Sequence, residues 1–510
     1  MAIRTVAALL LVACVAWGLD ASLPAGELRD YGSFVASGRA ATAGENPYGI
    51  HPLTFHVVLP GFDVWNPNLN PPVSLPLFAL FDTADPHRGF RWWWITSLLA
   101  YGAAVLLLTR RYGGRRSLLL PLWALALAGF WDTLALGQIY LPLVLASAGA
   151  WLLLDRGRPT AAGILIGVVV AVKPNFAVWP ALLLLAGYVR PAAAAGATVV
   201  ALSALPVAIY GWTVYRQWVE LILSDAGRAA FLTNASLPGL LQRLNAGAAG
   251  AVAAVAILAG LATWAVRRRP TVLTASACGL FGGIVASPIA WVHYTLFLLP
   301  VFFWMRLSPA AVAAAALLVV PVPLMLRTLD APLWQQVTLG SVYNWAVLLL
   351  GVALTAAARS PVREPTPALT VVFYDGVCGL CDRFVHFLLS HDRRGLLRFA
   401  PLQGALARRD LERAGHDPAA LRSILVVADK GSGNERVLAR SRAVLHVLAT
   451  LGGAWALVAR VGALVPTALA DRLYDLVAAH RYRWFGQFET CPLPKPEWRS
   501  RFIDDVVTDV

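Results

Sequence analysis

Two groups of residues in this chain have the types and spacing for chemistry. The first is the pair Cys378-Gly379-Leu380-Cys381, preceded by Thr370-Val371-Val372-Phe373-Tyr374-Asp375-Gly376 and followed by Asp382-Arg383-Phe384-Val385-His386-Phe387-Leu388-Leu389. An apolar β-rich run, a Gly turn and then a helical period place Cys378 at a helix N-terminus. There the positive end of the helix dipole favours the thiolate and lowers its pKa, the arrangement of thiol–disulfide exchange. Half a zinc site is the rival reading. Only Cys491 and the scattered His386, His391, His416, His446 and His480 are available to complete it, without a second Cys-x-x-Cys. The second group is a set of polar residues between apolar segments: Asp30, Asn46-Pro47-Tyr48, Gly137-Gln138, Lys173-Pro174-Asn175, Asn234-Ala235-Ser236 and Ser287-Pro288 leading to Trp291-Val292-His293-Tyr294. Ionisable groups at membrane depth are costly and usually line a cavity. A partly buried carboxylate can act as a general base, and positive side chains can stabilise a departing phosphate. The bland readings are a solvated loop carboxylate for Asp30, a headgroup-seeking Lys173, a structural His293, and interfacial aromatics for Tyr48 and Trp291.

The elements that must position these groups are membrane helices. Hydrophobic residues make up 58% of the 510, charged residues 14%, and mean hydropathy is +0.64; a soluble chain of this size carries nearly twice the charge. Apolar segments lie at roughly 3–20, 91–109, 117–131, 137–154, 160–173, 175–189, 194–211, 246–266, 271–287, 294–306, 309–326 and 341–358. This predicts a polytopic α-helical protein of about 12 spans. The first segment, with Arg4 ahead of an apolar run, resembles a signal peptide and reads as an uncleaved span. Net charge is +14, but the basic residues are almost all Arg in short clusters between spans, so nucleic acid is excluded as a partner. If the spans alternate, Arg110, Arg111, Arg115, Arg116, Arg156, Arg158, Arg190, Arg267 to Arg269, Arg306, Arg359 and Arg363 share one side with Arg4, the cytoplasm. The loops 20–90, 212–245 and 327–340 then face outward, and both termini are cytoplasmic at a cell membrane. Residues 71–81 are too short to cross and read as interfacial or re-entrant. With only three lysines, the Arg- and Ala-rich usage points to a high-GC bacterial source.

Near residue 359 the character changes. A Pro- and charge-rich linker, 359–369, separates a membrane part, 1–358, from a soluble part, 370–510. The last 150 residues hold 20 basic and 16 acidic residues, enough chain to bury a core of its own. Strands are expected at 397–402 and 423–428, and helices at 404–414, 441–450 and 467–480.

The ordered elements of the membrane part resemble glycosyltransferase family 87, the polyprenol-phosphate-mannose-dependent mannosyltransferases of the GT-C class. They are Asp30-Tyr31, Ala36-x-Gly38-Arg39-Ala40 followed by Asn46-Pro47-Tyr48, Pro71-Pro72 before a short apolar helix, and Gly137-Gln138. Then come the Gly-rich run to Lys173-Pro174, Asn234-x-Ser236-Leu237 with Arg243, and Ser287-Pro288-x-x-Trp291-x-His293. Where the family often has a second His, this chain has Tyr294. The resemblance implies that Asp30 deprotonates an acceptor hydroxyl as it attacks the anomeric carbon, with inversion. It implies that Lys173, Arg39 or His293 neutralises the leaving polyprenyl phosphate, and that Asn46, Tyr48, Gln138 and Asn234 position sugar hydroxyls. The implied partners are a polyprenyl-phosphate sugar, an envelope glycolipid or glycan acceptor, and membrane lipid. The sequence calls for no cofactor and no metal; no Asp-x-Asp occurs in the outer loops. The soluble part resembles the DCC-type thiol–disulfide oxidoreductases through Asp375-x-x-Cys378-x-x-Cys381, Leu473-Tyr474, His480-Arg481-Tyr482-Arg483, Cys491-Pro492 and Arg501-Phe502. That implies an α/β thioredoxin-like domain in which Cys378 attacks, Cys381 resolves and Asp375 serves proton transfer, with a cytoplasmic thiol partner. Cys491 is either a third redox thiol or a buried structural one.

The alternative is a membrane-anchored thiol–disulfide enzyme whose spans serve as anchor, electron relay or transporter. A relay needs a partner thiol at each stage, and the spans offer only Cys14 and Cys278, in different segments. A transporter predicts charges at mid-depth, whereas those here cluster at the outer face.

Overall fold

The computed structural model describes residues 2–22, 27–113, 119–224, 226–359, 369–392, 395–412, 424–430, 435–463, 465–489 and 496–503. Cys491, Arg115, Arg116, Arg363 and nearly all of the 359–369 linker lie outside those residues. The chain divides into two compact units, Met1–Ser360 and Pro361–Val510.

The first unit is almost wholly helical. Among the described residues, four helices are long and apolar enough to cross a membrane: Pro86–Tyr112, Val189–Tyr210, Gly247–Arg268 and Leu333–Ala356, the last continuing through a short 3-10 turn. Leu119–Ala126 and Ala128–Leu136 form a fifth if the pair, bent by 42°, is one span. The bend has a local cause: Leu127 is extended, and Ala128 N–H bonds Leu318 C=O across the bundle. Six further apolar helices are shorter, Thr5–Asp20, Tyr140–Asp155, Pro159–Val172, Pro174–Leu185, Val272–Val285 and Val292–Trp304. Proline accounts for much of this shortening, because it begins or interrupts a helix where it removes an amide donor. Pro174 stops the helix carrying Lys173 at its end, and Pro309 opens a new one capped by Ser308.

The loop after the first helix is not irregular. Helix Arg29–Thr42 buries eleven of its 14 residues. It is followed by a hairpin of β1 (Phe55–Leu59) and β2 (Phe62–Asn66), in register Phe55 to Asn66. Phe55 N–H donates to Ser33 Oγ at 2.9 Å, so the hairpin is fixed to that helix. Pro71-Pro72 leads through a 3-10 turn into the short helix Leu75–Leu80, six residues long.

The second unit contains a four-stranded mixed sheet of β3 (Leu369–Tyr374), β4 (Leu397–Pro401), β5 (Leu425–Lys430) and β6 (Arg436–Ala439), in the order β4-β3-β5-β6. β3 runs parallel to β4 and antiparallel to β5, and β5 is antiparallel to β6. Alternation along β3 separates two cores. Val372 and Tyr374 face helices Gly379–His391, Arg440–Leu451 and Thr467–Phe485; Val371 and Phe373 face helix Ala405–Glu412.

Candidate functional site

In the first unit the polar residues converge on a cavity of about 1000 Å³. Asp30 lies in the first turn of helix Arg29–Thr42 and is 3% exposed. The residue before it, Arg29, has φ 48°, a left-handed conformation that costs a non-glycine residue of order 1–3 kcal/mol. Both carboxylate oxygens of Asp30 accept amide hydrogen bonds, Oδ1 from Asn66 Nδ2 and Oδ2 from Gln138 Nε2, each at 2.5 Å. Burial raises the Asp30 pKa above the ordinary carboxylate value; the Gln138 bond, the neighbouring His293 and the Asn66 bond oppose that rise. Asn66 is itself held by Arg228, whose guanidinium donates to Asn66 Oδ1 and, at 2.6 Å, to Trp65 C=O. A buried cation is thus one amide away from the carboxylate.

Opposite this group stands Lys173. Its ammonium donates to Asn70 Oδ1 at 2.6 Å and Tyr140 OH at 2.9 Å, and lies 4.2 Å from the Tyr140 ring centroid and 5.4 Å from that of Tyr294. Aromatic faces attract an ammonium set over them. Tyr294, at the position where a second His was looked for, serves here as a wall of that box. His293 Nδ1 is 3.1 Å from Asp132 Oδ2, an ion-pair distance without hydrogen-bond alignment. The two are brought together because helix Ala128–Leu136 crosses the turn Val292–Leu298 at Gly129, where a Cβ would stand 2.7 Å from Val292 O. The cavity wall also includes apolar residues, among them Trp17, Ala126, Val319, Val322 and Leu326.

Of the residues singled out in the sequence, Asp30, Gln138, Lys173 and His293 line this cavity, together with Pro174, Asn175, Ser287, Pro288, Trp291 and Tyr294. Arg39 does not: its guanidinium is forked onto Asp82, Nε 2.8 Å from both oxygens. Asn46 caps a turn, accepting from Tyr48 N–H at 3.0 Å. Tyr48 is buried and donates to Asn70 C=O at 3.2 Å, behind the residue that holds Lys173. Asn234 is fully buried and ties two loops, donating to Ala229 O and Pro288 O and accepting from Ala290 N. Arg243 is likewise consumed, with bonds to Ser341, Asn344 and four backbone carbonyls. Asn66, Asn70, Asp132, Tyr140 and Arg228 were not singled out. The Asn-Pro-Asn-Leu-Asn-Pro run at 66–71 and an aspartate beside an apolar segment were the available signals.

In the second unit Cys378 is the N-cap of helix Gly379–His391, and both cysteines are free thiols. A hydrogen bond from the Cys381 thiol and the helix N-terminal amides, against burial, hold Cys378 down at about 6. The same bond and burial push Cys381 up, so it is the protonated partner. Cys378 has no accessible surface. Its cover is the turn after helix Thr467–Phe485: Gly379 N–H bonds Gly486 C=O at 3.1 Å, Phe488 N–H bonds Val377 C=O at 2.9 Å, and Cys378 pairs with Gln487. Only glycine fits at 379, where a Cβ would lie 2.3 Å from Phe485 O. Asp375 is buried; Oδ1 accepts from Val377 N–H (3.2 Å) and Gln403 Nε2 (3.0 Å), and Oδ2 from Arg481 Nη2 (3.2 Å) and Tyr482 OH. No cluster of three or more His, Cys, Asp or Glu able to hold a metal occurs among the described residues.

Comparison with known proteins agrees with this division. The model of glycosyltransferase family 87 matches residues 68–288, and that of the DCC1-like thiol-disulfide oxidoreductases matches 372–487. The first match includes Asn70, Gln138, Lys173 and Arg228 but neither Asp30 nor His293. The uncharacterized protein YuxK of Bacillus subtilis is 33% identical over 133 residues, 26% of this chain and 93% of that protein. A chloroplastic DCC family protein of Arabidopsis thaliana is 32% identical over 123 residues, 24% of this chain and 69% of its own. A polyprenol-phosphate-mannose-dependent alpha-(1-2)-phosphatidylinositol mannoside mannosyltransferase of Mycolicibacterium smegmatis is 28% identical over 235 residues, 40% of this chain; the match spans 53% of that enzyme. No solved structure matches the chain significantly.

Proposed function

We propose that this chain, which belongs to the DCC family through its C-terminal unit and matches glycosyltransferase family 87 over residues 68–288, is a membrane glycosyltransferase fused to a thiol–disulfide oxidoreductase. The transferase moves a sugar, mannose in this reading, from a polyprenyl phosphate to an envelope glycolipid or glycan at the outer face. The observation that carries this is the Asp30 carboxylate, held by two amides in a cavity whose wall combines cationic and apolar side chains. The apolar side chains accommodate the first units of a lipid tail, and the polar ones its phosphosugar. Asp30 takes the acceptor hydroxyl proton as that oxygen bonds to the anomeric carbon. The bond from that carbon to the phosphate oxygen breaks, and the phosphate leaves with the electron pair, stabilised by Lys173 and Arg228. One displacement inverts the anomeric centre. Asp132 orients His293, and Gln138 and Asn66 orient the base. No step requires a metal.

The fold in this reading is GT-C-like with about 12 spans, several of them broken, and the C-terminal domain is thioredoxin-like. The β4-β3-β5-β6 order, with Cys378 at the helix after β3, supports the latter. The division into two compact units, Met1–Ser360 and Pro361–Val510, supports domain limits of 1–358 and 370–510 about a linker. Arg110 and Arg111, and Arg267 and Arg268, lie in the last turns of long apolar helices, which supports cytoplasmic placement of those ends and of both termini. Membranes containing the chain should transfer mannose from synthetic polyprenyl-phosphate mannose and not from a sugar nucleotide. Transfer from the nucleotide alone, in membranes depleted of polyprenyl phosphate, would overturn the donor assignment.

A further inference from the structure

The second unit holds a cavity of about 480 Å³ that the transferase reading leaves unused. Cys381 forms part of its wall, with Asp375, Tyr474 and Arg481 at the same end; Leu380, Phe384, Val444 and Leu445 make the remainder apolar. The volume is that of a small-molecule pocket with a few convergent polar groups. Its mouth is unusual for a soluble α/β unit. Val465, Leu473 and Val477 line the cavity and are also solvent-exposed, Leu473 to 57%. Exposed Leu469 and Leu476 continue the same face of helix Thr467–Phe485. Meanwhile the direct route to Cys378 is covered by the Gly486–Phe488 turn. A protein disulfide cannot reach the thiolate as folded, whereas a small apolar molecule reaches its partner thiol.

We infer that this cavity binds a lipid-soluble quinone, which oxidises the Cys378–Cys381 dithiol. The inference rests on the reading of that pair as redox-active. It identifies the occupant by three demands: an apolar body to fill the pocket, entry through an apolar mouth, and two-electron chemistry at the sulfur in its wall. The unit follows in sequence directly on a long apolar helix, Leu333–Ala356, so it is kept beside a membrane, where such carriers concentrate. Tyr474 OH accepts from Ile424 N–H at 2.8 Å and keeps its own proton to donate to a quinone carbonyl. In the step, Cys381 bonds to the ring through sulfur and its proton passes to a quinone oxygen. The Cys378 thiolate then attacks Cys381 Sγ. The sulfur–sulfur bond forms, the carbon–sulfur bond breaks with its electron pair left on the ring, and a proton from solvent, replacing the one Cys378 released, completes the hydroquinone. One dithiol is oxidised and one quinone reduced.

The test uses the reduced full-length chain in detergent and decylubiquinone, whose fully substituted ring forms no lasting thioether. Quinone absorbance and the mass of the Cys378–Cys381 peptide pair are followed together. Hydrogen peroxide, small enough to reach a thiol behind the Gly486–Phe488 turn, reports on the same samples whether the dithiol is redox-active. The expected result is saturable reduction of one quinone per chain. It should be slowed at least tenfold by Val444→Trp, which fills the cavity, and by Leu473→Glu, which makes its mouth charged, while peroxide oxidises all three proteins alike. Oxidation by peroxide without quinone reduction, or equal quinone rates in wild type and both variants, overturns the quinone site and leaves the redox reading standing. A dithiol that neither reagent oxidises overturns both.

Discussion

Replacing Asn66 by Leu tests how the base is held. Asn66 Nδ2 donates at 2.5 Å to one oxygen of Asp30, while its own oxygen is fixed by Arg228. Leucine preserves the volume and removes both bonds. A hydrogen bond to a charged acceptor contributes about 1.5–3 kcal/mol, and about 1.4 kcal/mol is a factor of ten. The sign follows from which form is favoured. The amide stabilises ionised Asp30 and so lowers a pKa that burial raises. Without it the pKa rises further, and the ionised, competent fraction on the acid side of the pH profile falls by about one to two orders of magnitude. At high pH, where Asp30 is ionised in both proteins, much of the difference disappears. The assay is sugar transfer from polyprenyl-phosphate mannose in membranes across the pH range, with expression matched. An acid limb that stays in place or moves to lower pH would refute the reasoning, because it would mean that Asp30 is not the titrating base or that Asn66 does not hold it.

Gln138→Leu should move the same limb in the same direction and further, since its hydrogen bond is the larger of the two opposing burial. Arg39→Gln should leave transfer within a few-fold of wild type, because Arg39 pairs with Asp82 outside the cavity and a half-exposed pair contributes about 0–1 kcal/mol; a hundredfold loss in initial rate would place it in the site after all. Cys378, with its pKa depressed to about 6, gains stabilisation as a thiolate above that pH that is lost as pH falls through it. Thiolate absorbance of the reduced chain should therefore titrate near 6 and vanish from that range in Cys378→Ser, whereas a midpoint near 9 would contradict the hydrogen-bonded arrangement. Asp375→Ala leaves the mostly buried Arg481 without its carboxylate, which costs about 3 kcal/mol. Limited proteolysis of the full chain in urea should show the second unit cut at clearly lower denaturant, and an unchanged midpoint would mean that the pair is not structural.

The second unit was the more legible in sequence because its signals are local. β4, β5 and helices Ala405–Glu412 and Arg440–Leu451 stand close to where period and turn residues put them. Strand β6 was missed; it is four residues long, and its pairing with β5 is what defines it. Nor did sequence reveal the Gly486–Phe488 turn over Cys378, a contact across more than a hundred residues. In the first unit, Asp30, Gln138, Lys173 and His293 were legible as polar groups in apolar surroundings. Asn66 and Asn70 were not, since asparagines in a Pro-rich loop look like ordinary turn formers until the hairpin and Lys173 show what they hold. Arg39, Asn46, Tyr48 and Asn234 show the converse. Their side chains build the loops behind the cavity, a role that residue type and order do not separate from substrate contact.

The most direct test of the central claim is transfer of mannose from synthetic polyprenyl-phosphate mannose by the intact chain and by Asp30→Asn. Asparagine fits the site: its oxygen still accepts from Asn66, which Arg228 fixes, and its amide can face the oxygen of a turned Gln138. Only the base is lost. The account predicts a product with inverted configuration from wild type and a loss of about 10²–10⁴ in rate for the variant at equal expression. Equal transfer by both proteins would contradict it.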